Sequence, residues 1–221
     1  MIISKYLDSL FINKLLIIIN LISASIAFGL SSMTTFPDAG NYILLAENIL
    51  NGNFSSDCNA NICLPDSVRT PGYPLILSLF FIFSKNLFLM KLIQLIFYFL
   101  TLWLGYKIVI KISHKNIIAA NVFLIFTAVN IQIPYYSGTI STETFTTFFV
   151  TLFFYNLYVV QKRSFAQDAL SSSLILAAIY YLRPGFLLFP FILLGLSFFK
   201  IFKLNPKQAL AQILLFICML L

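Results

Sequence analysis

The sequence predicts an all-α fold: a polytopic transmembrane helix bundle with a long first extracytoplasmic loop that contains interfacial helices. Three observations carry this. Of the 221 residues, 60% are hydrophobic and 10% are charged, where a soluble domain carries roughly a quarter charged residues. With a mean hydropathy of +0.95, the chain lacks the polar surface a water-soluble fold needs. Apolar runs of near-spanning length recur at about 15–34, 92–110, 116–134, 144–161, 169–182 and 185–199, and another at about 208–221 reaches the last residue. The loop between the first two, about 36–72, holds Asp38, Glu47, Asp57 and Asp66, four of the seven acidic residues. One membrane domain over 1–221 follows, with no soluble domain.

The first run has a basic start at Lys5 and Lys14, and small residues at Ser23-Ala24-Ser25-Ile26-Ala27. Its apolar stretch continues to about Met33, longer than the apolar region of a cleaved signal, so an uncleaved first helix is expected. Asn41 to Leu50 reads as an amphipathic helix in the loop, with Glu47 solvated. The stretch Tyr73 to Ser84 has only about a dozen residues, too few to cross. Pro71 and Pro74 stand at its start, where a first helical turn tolerates proline. It is expected to lie at the interface, or to be re-entrant, on the side of the loop.

Charge parity supports that reading. With the N-terminus cytoplasmic, Lys107, Lys111, Lys115, Lys162, Arg163, Lys200, Lys203 and Lys207 all fall inside. That is the placement of basic residues the positive-inside rule requires, and Asp38, Glu47, Asp57, Asp66 and Glu143 then fall outside. A full crossing at Tyr73 to Ser84 would invert the later clusters. The net charge of +7 is therefore the signature of membrane orientation and not of nucleic-acid binding. The expected location is a bacterial inner (plasma) membrane, spanned several times. Leu182-Arg183-Pro184-Gly185 breaks the last long apolar region into two short helices, with Arg183 at their outer junction.

Of the three cysteines, Cys218 lies in an apolar run and reads as a packing residue. Cys58 and Cys63 flank Asn59-Ala60-Asn61-Ile62 in the outer loop, where they form either a local disulfide or two free thiols. Two cysteines at this spacing do not make a structural metal site. The chain has no Gly-rich phosphate loop, no metal-ligand cluster and no nucleophile–base pair. No cofactor is implied, and a divalent cation has no clear ligand set. His114, between Lys111 and Lys115, reads as a loop histidine.

Four ionisable residues recur on the outer side near a membrane boundary: Asp38, Arg69, Glu143 and Arg183. Charges near hydrocarbon are costly unless they serve a site or pair with one another. Asp38 reads as a helix cap or as a general base that takes a proton from an acceptor hydroxyl. Arg69 reads as a snorkelling arginine or as a phosphate ligand, since a guanidinium fork matches two phosphate oxygens. Arg183 needs an anionic partner, either a ligand phosphate or Glu143. Glu143 itself, in Ser141-Thr142-Glu143-Thr144, also fits the start of a helix.

The order of these pieces is more specific than any one of them. A first span leads to Asp38, followed by Tyr42, Ala46 and Gly52. Arg69-Thr70-Pro71-Gly72-Tyr73-Pro74 precedes a short apolar helix. Tyr136, Ser141 and Glu143 follow, and then Leu182-Arg183-Pro184-Gly185. This order resembles the polytopic glycosyltransferases of the C superfamily, nearest the protein O-mannosyltransferases and lipid A aminoarabinose transferases. The resemblance runs from the first span to the break at Arg183. It implies inverting transfer of a sugar from a polyprenyl-phosphate donor at the outer membrane face. Asp38 would be the base, Arg69 and Arg183 would hold the donor phosphate, and Glu143, Tyr42 and Tyr73 would support them. Two departures stand out. Many such enzymes carry a second acidic residue where this chain has Ala39. They also run longer, whereas this chain stops at Leu221 inside an apolar run, so the expectation is the N-terminal module of such an enzyme. A non-catalytic membrane subunit that assembles with a partner, and below it a small transporter, are the competing readings.

Overall fold

The computed structural model describes the backbone of residues 2–31, 37–59, 62–160, 164–199 and 206–220. Side chains are described over 11–31, 37–56, 65–160, 164–199 and 206–220. In chain order the helices are α1 (Ile2–Ser31), α2 (Ala39–Leu50), α3 (Gly72–Phe81), α4 (Leu87–Ile112), α5 (Ile117–Val129), α6 (Gln132–Ser137), α7 (Glu143–Tyr158), α8 (Phe165–Leu182), α9 (Phe189–Phe198) and α10 (Pro206–Leu220). A single 3₁₀ turn, Pro184–Phe186, precedes α9. Phe11–Ser31 within α1, all of α4 and all of α8 are long and apolar enough to cross a membrane. The fold is the all-α bundle the composition demands. Large apolar side chains such as Ile118, Phe126 and Leu188 are exposed on it, which suits a lipid environment.

The long helices pack in series: α1 on α5, α5 on α4, α4 on α7, α7 on α8, α8 on α10 and α10 on α9. The short helices α2 and α3 pack on each other, and α3 reaches α8. Two apolar clusters result. One joins Ala46, Tyr73, Leu77, Met90, Ile140 and Phe145 beneath α2 and α3. The other joins Phe153, Leu176, Ile179, Leu193 and Phe216 among α7, α8, α9 and α10.

Local chemistry sets the boundaries. Asn86 starts α4 by accepting the Phe88 amide on its side chain. Ser164 and Gln167 form a reciprocal capping box, which starts α8 at Phe165, ahead of the apolar run expected from 169. The expected run at 116–134 is divided. Asn130 ends α5, its side chain accepts the Gln132 amide, and Pro134 falls in the first turn of α6, where its missing N–H is harmless. Gly52 follows α2 with φ +81°, and the amides of Gly52 and Asn53 close on the carbonyls of Ile49 and Asn48. This is the left-handed helix stop that glycine provides. His114 lies in the tight turn between α4 and α5 with φ 53°.

The helix α3 has 10 residues, roughly 15 Å at the α-helical rise and about half a hydrocarbon core. It does not cross. A two-stranded antiparallel ribbon, Asp57–Asn59 with Ile62–Leu64, interrupts the loop before it and sets Cys58 opposite Cys63 in register. The side chains of both cysteines lie outside the described residues, and so does the choice between a disulfide and two free thiols. Cys218 corrects the sequence reading: it is exposed and has no disulfide partner among the described residues, because Phe216 and Ile213 occupy the inward face of α10 instead.

Candidate functional site

Four separated stretches of sequence meet at one cavity of about 230 Å³. Asp38 and Tyr42 come from the start of α2. Arg69 and Thr70 come from the loop before α3, Ser141 and Glu143 from the start of α7, and Arg183 from the break after α8. All four ionisable residues singled out in the sequence line this cavity.

Asp38 occupies the N-cap position of α2 but makes no side-chain capping bond. Its carboxylate turns to Arg69 instead, with Nη2 to Oδ1 at 3.1 Å. The Asp38 side chain remains half exposed, while that of Arg69 is 19% exposed. The capping reading of Asp38 therefore gives way to an ion pair at the rim, with the second carboxylate oxygen free of hydrogen bonds among the described residues.

Arg69 is held from behind by Asp66, a residue the sequence reading did not place at the site. Asp66 Oδ1 accepts the amides of Val68 and Arg69 at 2.8 and 2.9 Å. Its Oδ2 accepts from the Ser56 hydroxyl at 2.7 Å and from Arg69 Nη1 at 3.3 Å. The side chain of Asp66 is 3% exposed. Burial pushes the Asp66 carboxyl up, but the Ser56 hydroxyl, the two amides and the Arg69 charge outweigh it and hold the carboxyl below its ordinary value. For Arg69, burial disfavours the charge, yet the hydrogen bond it donates to Asp38 and the charge of Asp66 raise its pKa, and the guanidinium stays protonated. The signal for Asp66 was present in Pro65-Asp66-Ser67, where an Asp side chain can bond amides two and three residues on.

Glu143 is the first residue of α7, and Thr142 before it makes no side-chain cap. One Glu143 oxygen faces Arg183 Nη1 at 3.5 Å, with Arg183 52% exposed. That long contact to an exposed partner is a loose pair. The other oxygen, Oε2, is buried without a hydrogen bond among the described residues, as are Arg69 Nε and Thr144 Oγ1. Tyr42 stands half buried in the wall. Burial, and after it the charges of Asp38 and Glu143, raise its pKa, so the phenol keeps its proton and can donate. The Lys85–Glu47 pair at 3.0 Å lies apart and exposed, as expected for a solvated Glu47.

Beneath the cavity the backbone from 138 to 142 is irregular, yet Thr139, Ile140, Ser141 and Thr142 are buried. Irregular backbone at membrane depth needs internal partners. Gln94 of α4, fully buried, supplies them: Nε2 donates to the carbonyls of Ser137 and Thr139, and Oε1 accepts from the Tyr73 hydroxyl at 2.8 Å. Tyr73 is thus a buried support with no place in the cavity wall, and its ring meets that of Tyr42 edge-on at 5.1 Å. Close approach fixes the same region. A Cβ on Gly138 would overlap Ser31 Oγ of α1, and one on Gly72 would lie 2.5 Å from the backbone oxygen of Tyr181.

Among the described residues no group of three or more His, Cys, Asp or Glu side chains is arranged to hold a metal ion. The arrangement offers one accessible carboxylate, one loosely paired guanidinium and a protonated phenol around a small polar cavity. Comparison with protein-family models, with curated proteins and with solved structures finds no match to this chain.

Proposed function

We propose that the chain is the membrane module of a glycosyltransferase that moves a sugar from a polyprenyl-phosphate donor to an acceptor hydroxyl, with inversion. The reaction face is the outer side of a bacterial plasma membrane, with the N-terminus in the cytoplasm. The observation that carries the reading is the convergence of Asp38, Arg69, Glu143 and Arg183 on one cavity. Neighbours in sequence do not explain it, since the four come from different elements.

The chemistry divides among them. Asp38, with one oxygen unengaged among the described residues, takes the proton of the acceptor hydroxyl. The acceptor oxygen then bonds to the anomeric carbon from the face opposite the phosphate. The bond from that carbon to the phosphate oxygen breaks, and its electron pair stays on the phosphate. Arg183 exchanges its loose contact with Glu143 for the departing phosphate, whose growing charge it stabilises. Arg69, fixed by Asp66, holds Asp38 in place. Glu143 Oε2, buried without a donor, suits a sugar hydroxyl.

The test uses proteoliposomes loaded with labelled polyprenyl-phosphate sugar. Asp38→Asn is expected to insert and bind donor normally while losing transfer by about a hundredfold or more, the usual worth of a general base. Full transfer in that variant would remove Asp38 from the role. A second reading, a non-catalytic membrane subunit, is favoured by one observation: both arginines already have carboxylate partners. Wild-type chain that binds donor but transfers nothing, alone or with acceptor extracts, would select it.

A further inference from the structure

A crevice between α1 and α4 lies away from the candidate site. Both helices pack on α5 more closely than on each other, and Leu124 of α5 floors a cavity of about 320 Å³ between them. Leu21 of α1 and Phe99, Trp103 and Tyr106 of α4 form its walls. The polar groups there are already satisfied. Asn20 donates to the carbonyls of Leu16 and Leu124 and accepts from the Thr127 hydroxyl. The Tyr106 hydroxyl donates to Asn13 at 3.4 Å. An apolar guest inside therefore strands no hydrogen bond.

One polar group at the crevice is different. The Lys107 ammonium lines it, 5.8 Å from the Trp103 ring centre, and has no acidic partner among the described residues. We propose that this crevice binds an anionic phospholipid, with one acyl chain between α1 and α4 and the phosphate on Lys107. An amphiphile with a negative head matches an apolar slot edged by the Lys107 ammonium. A transmembrane helix laid over the same slot would bury that ammonium unpaired, at considerable cost. The bound lipid is not the proposed sugar donor. From Met90, in the cluster beneath the candidate site, α4 runs seventeen residues to Lys107, roughly 25 Å. Lys107 thus lies at the other end of the membrane-spanning helix from the site.

Trp103 is the only tryptophan in the chain, so its fluorescence reports on this crevice alone. The intact chain is reconstituted in phosphatidylcholine vesicles containing increasing fractions of either brominated phosphatidylglycerol or brominated phosphatidylcholine. Half-maximal quenching of Trp103 is expected at about fivefold lower fraction of the anionic lipid, the worth of one lysine near an anionic surface. Lys107→Gln is expected to erase that preference, Lys107→Arg to keep it, and Lys111→Gln, outside the crevice, to leave it intact. Equal quenching of the wild-type chain by the two lipids overturns the proposal, and so does a preference that survives Lys107→Gln. Shielding of Trp103 from both lipids overturns it as well, since a helix or a second copy would then cover the crevice.

Discussion

At the scale of single residues, the site depends on how Asp66 and Asp38 share Arg69. Asp66 gives it a fixed anchor below the surface, and Asp38 meets it at the rim. Because the folded Asp66 carboxyl titrates below its ordinary value of 3.8, its contribution to the loop is fully present above that value. It is lost as pH falls through the lower, folded pKa. The amide resonances of Val68 and Arg69, which donate to this carboxylate, should therefore titrate with a midpoint below 3.8. A midpoint at or above 3.8 would contradict the account of how Arg69 is held. The charged residues Asp38, Arg69, Glu143 and Arg183 were legible in the sequence, because ionisable groups beside hydrocarbon demand an explanation. For Asp66 only the bonds to the amides just after it are legible; its hold on the Arg69 guanidinium and its bond from Ser56 appear only in the folded loop. The resemblance gives Tyr42 and Tyr73 the same supporting role, yet Tyr42 lines the cavity and Tyr73 is buried under it.

At the scale of elements, the walls of the cavity depend on two glycine contacts and one glutamine. Gly72 lets α3 approach α8 so closely that any Cβ meets the backbone of Tyr181, and backbone cannot rotate away. Gly72→Ala should lower stability by about 1–3 kcal/mol, the range for overpacking a tight contact. Gly185→Ala, with open space around it, should change little. Thermal unfolding of the two variants in detergent checks this, and equal midpoints would contradict it. Apolar run length found the long helices, and proline with run length found the short α3. The break between α5 and α6 escaped because hydropathy continues across Asn130, where the side-chain bond to the Gln132 amide and the missing N–H of Pro134 end the helix. The ribbon at 57–64 escaped because three-residue strands carry too little alternation to register. Gln94 stands in an apolar run with nothing in the sequence to mark a role. Its role appears only once α6 and α7 bring the carbonyls of Ser137 and Thr139 to it.

At the scale of the whole molecule, the bundle places an ionic cavity at one end and an apolar crevice edged by Lys107 toward the other. The helices between them carry an exposed apolar surface, which suits a lipid environment. The proposed function requires the ionic end to receive a lipid-borne phosphate. Both arginines there are engaged before any ligand arrives, and Arg183, exposed and 3.5 Å from Glu143, is the one free to change partners. The central claim is therefore tested most directly by the affinity of the reconstituted chain for polyprenyl phosphate, measured for wild type and for Arg183→Ala. The account predicts binding about tenfold weaker or more in the variant, the loss of a charge-assisted contact to phosphate. Equal affinity in the two would contradict it.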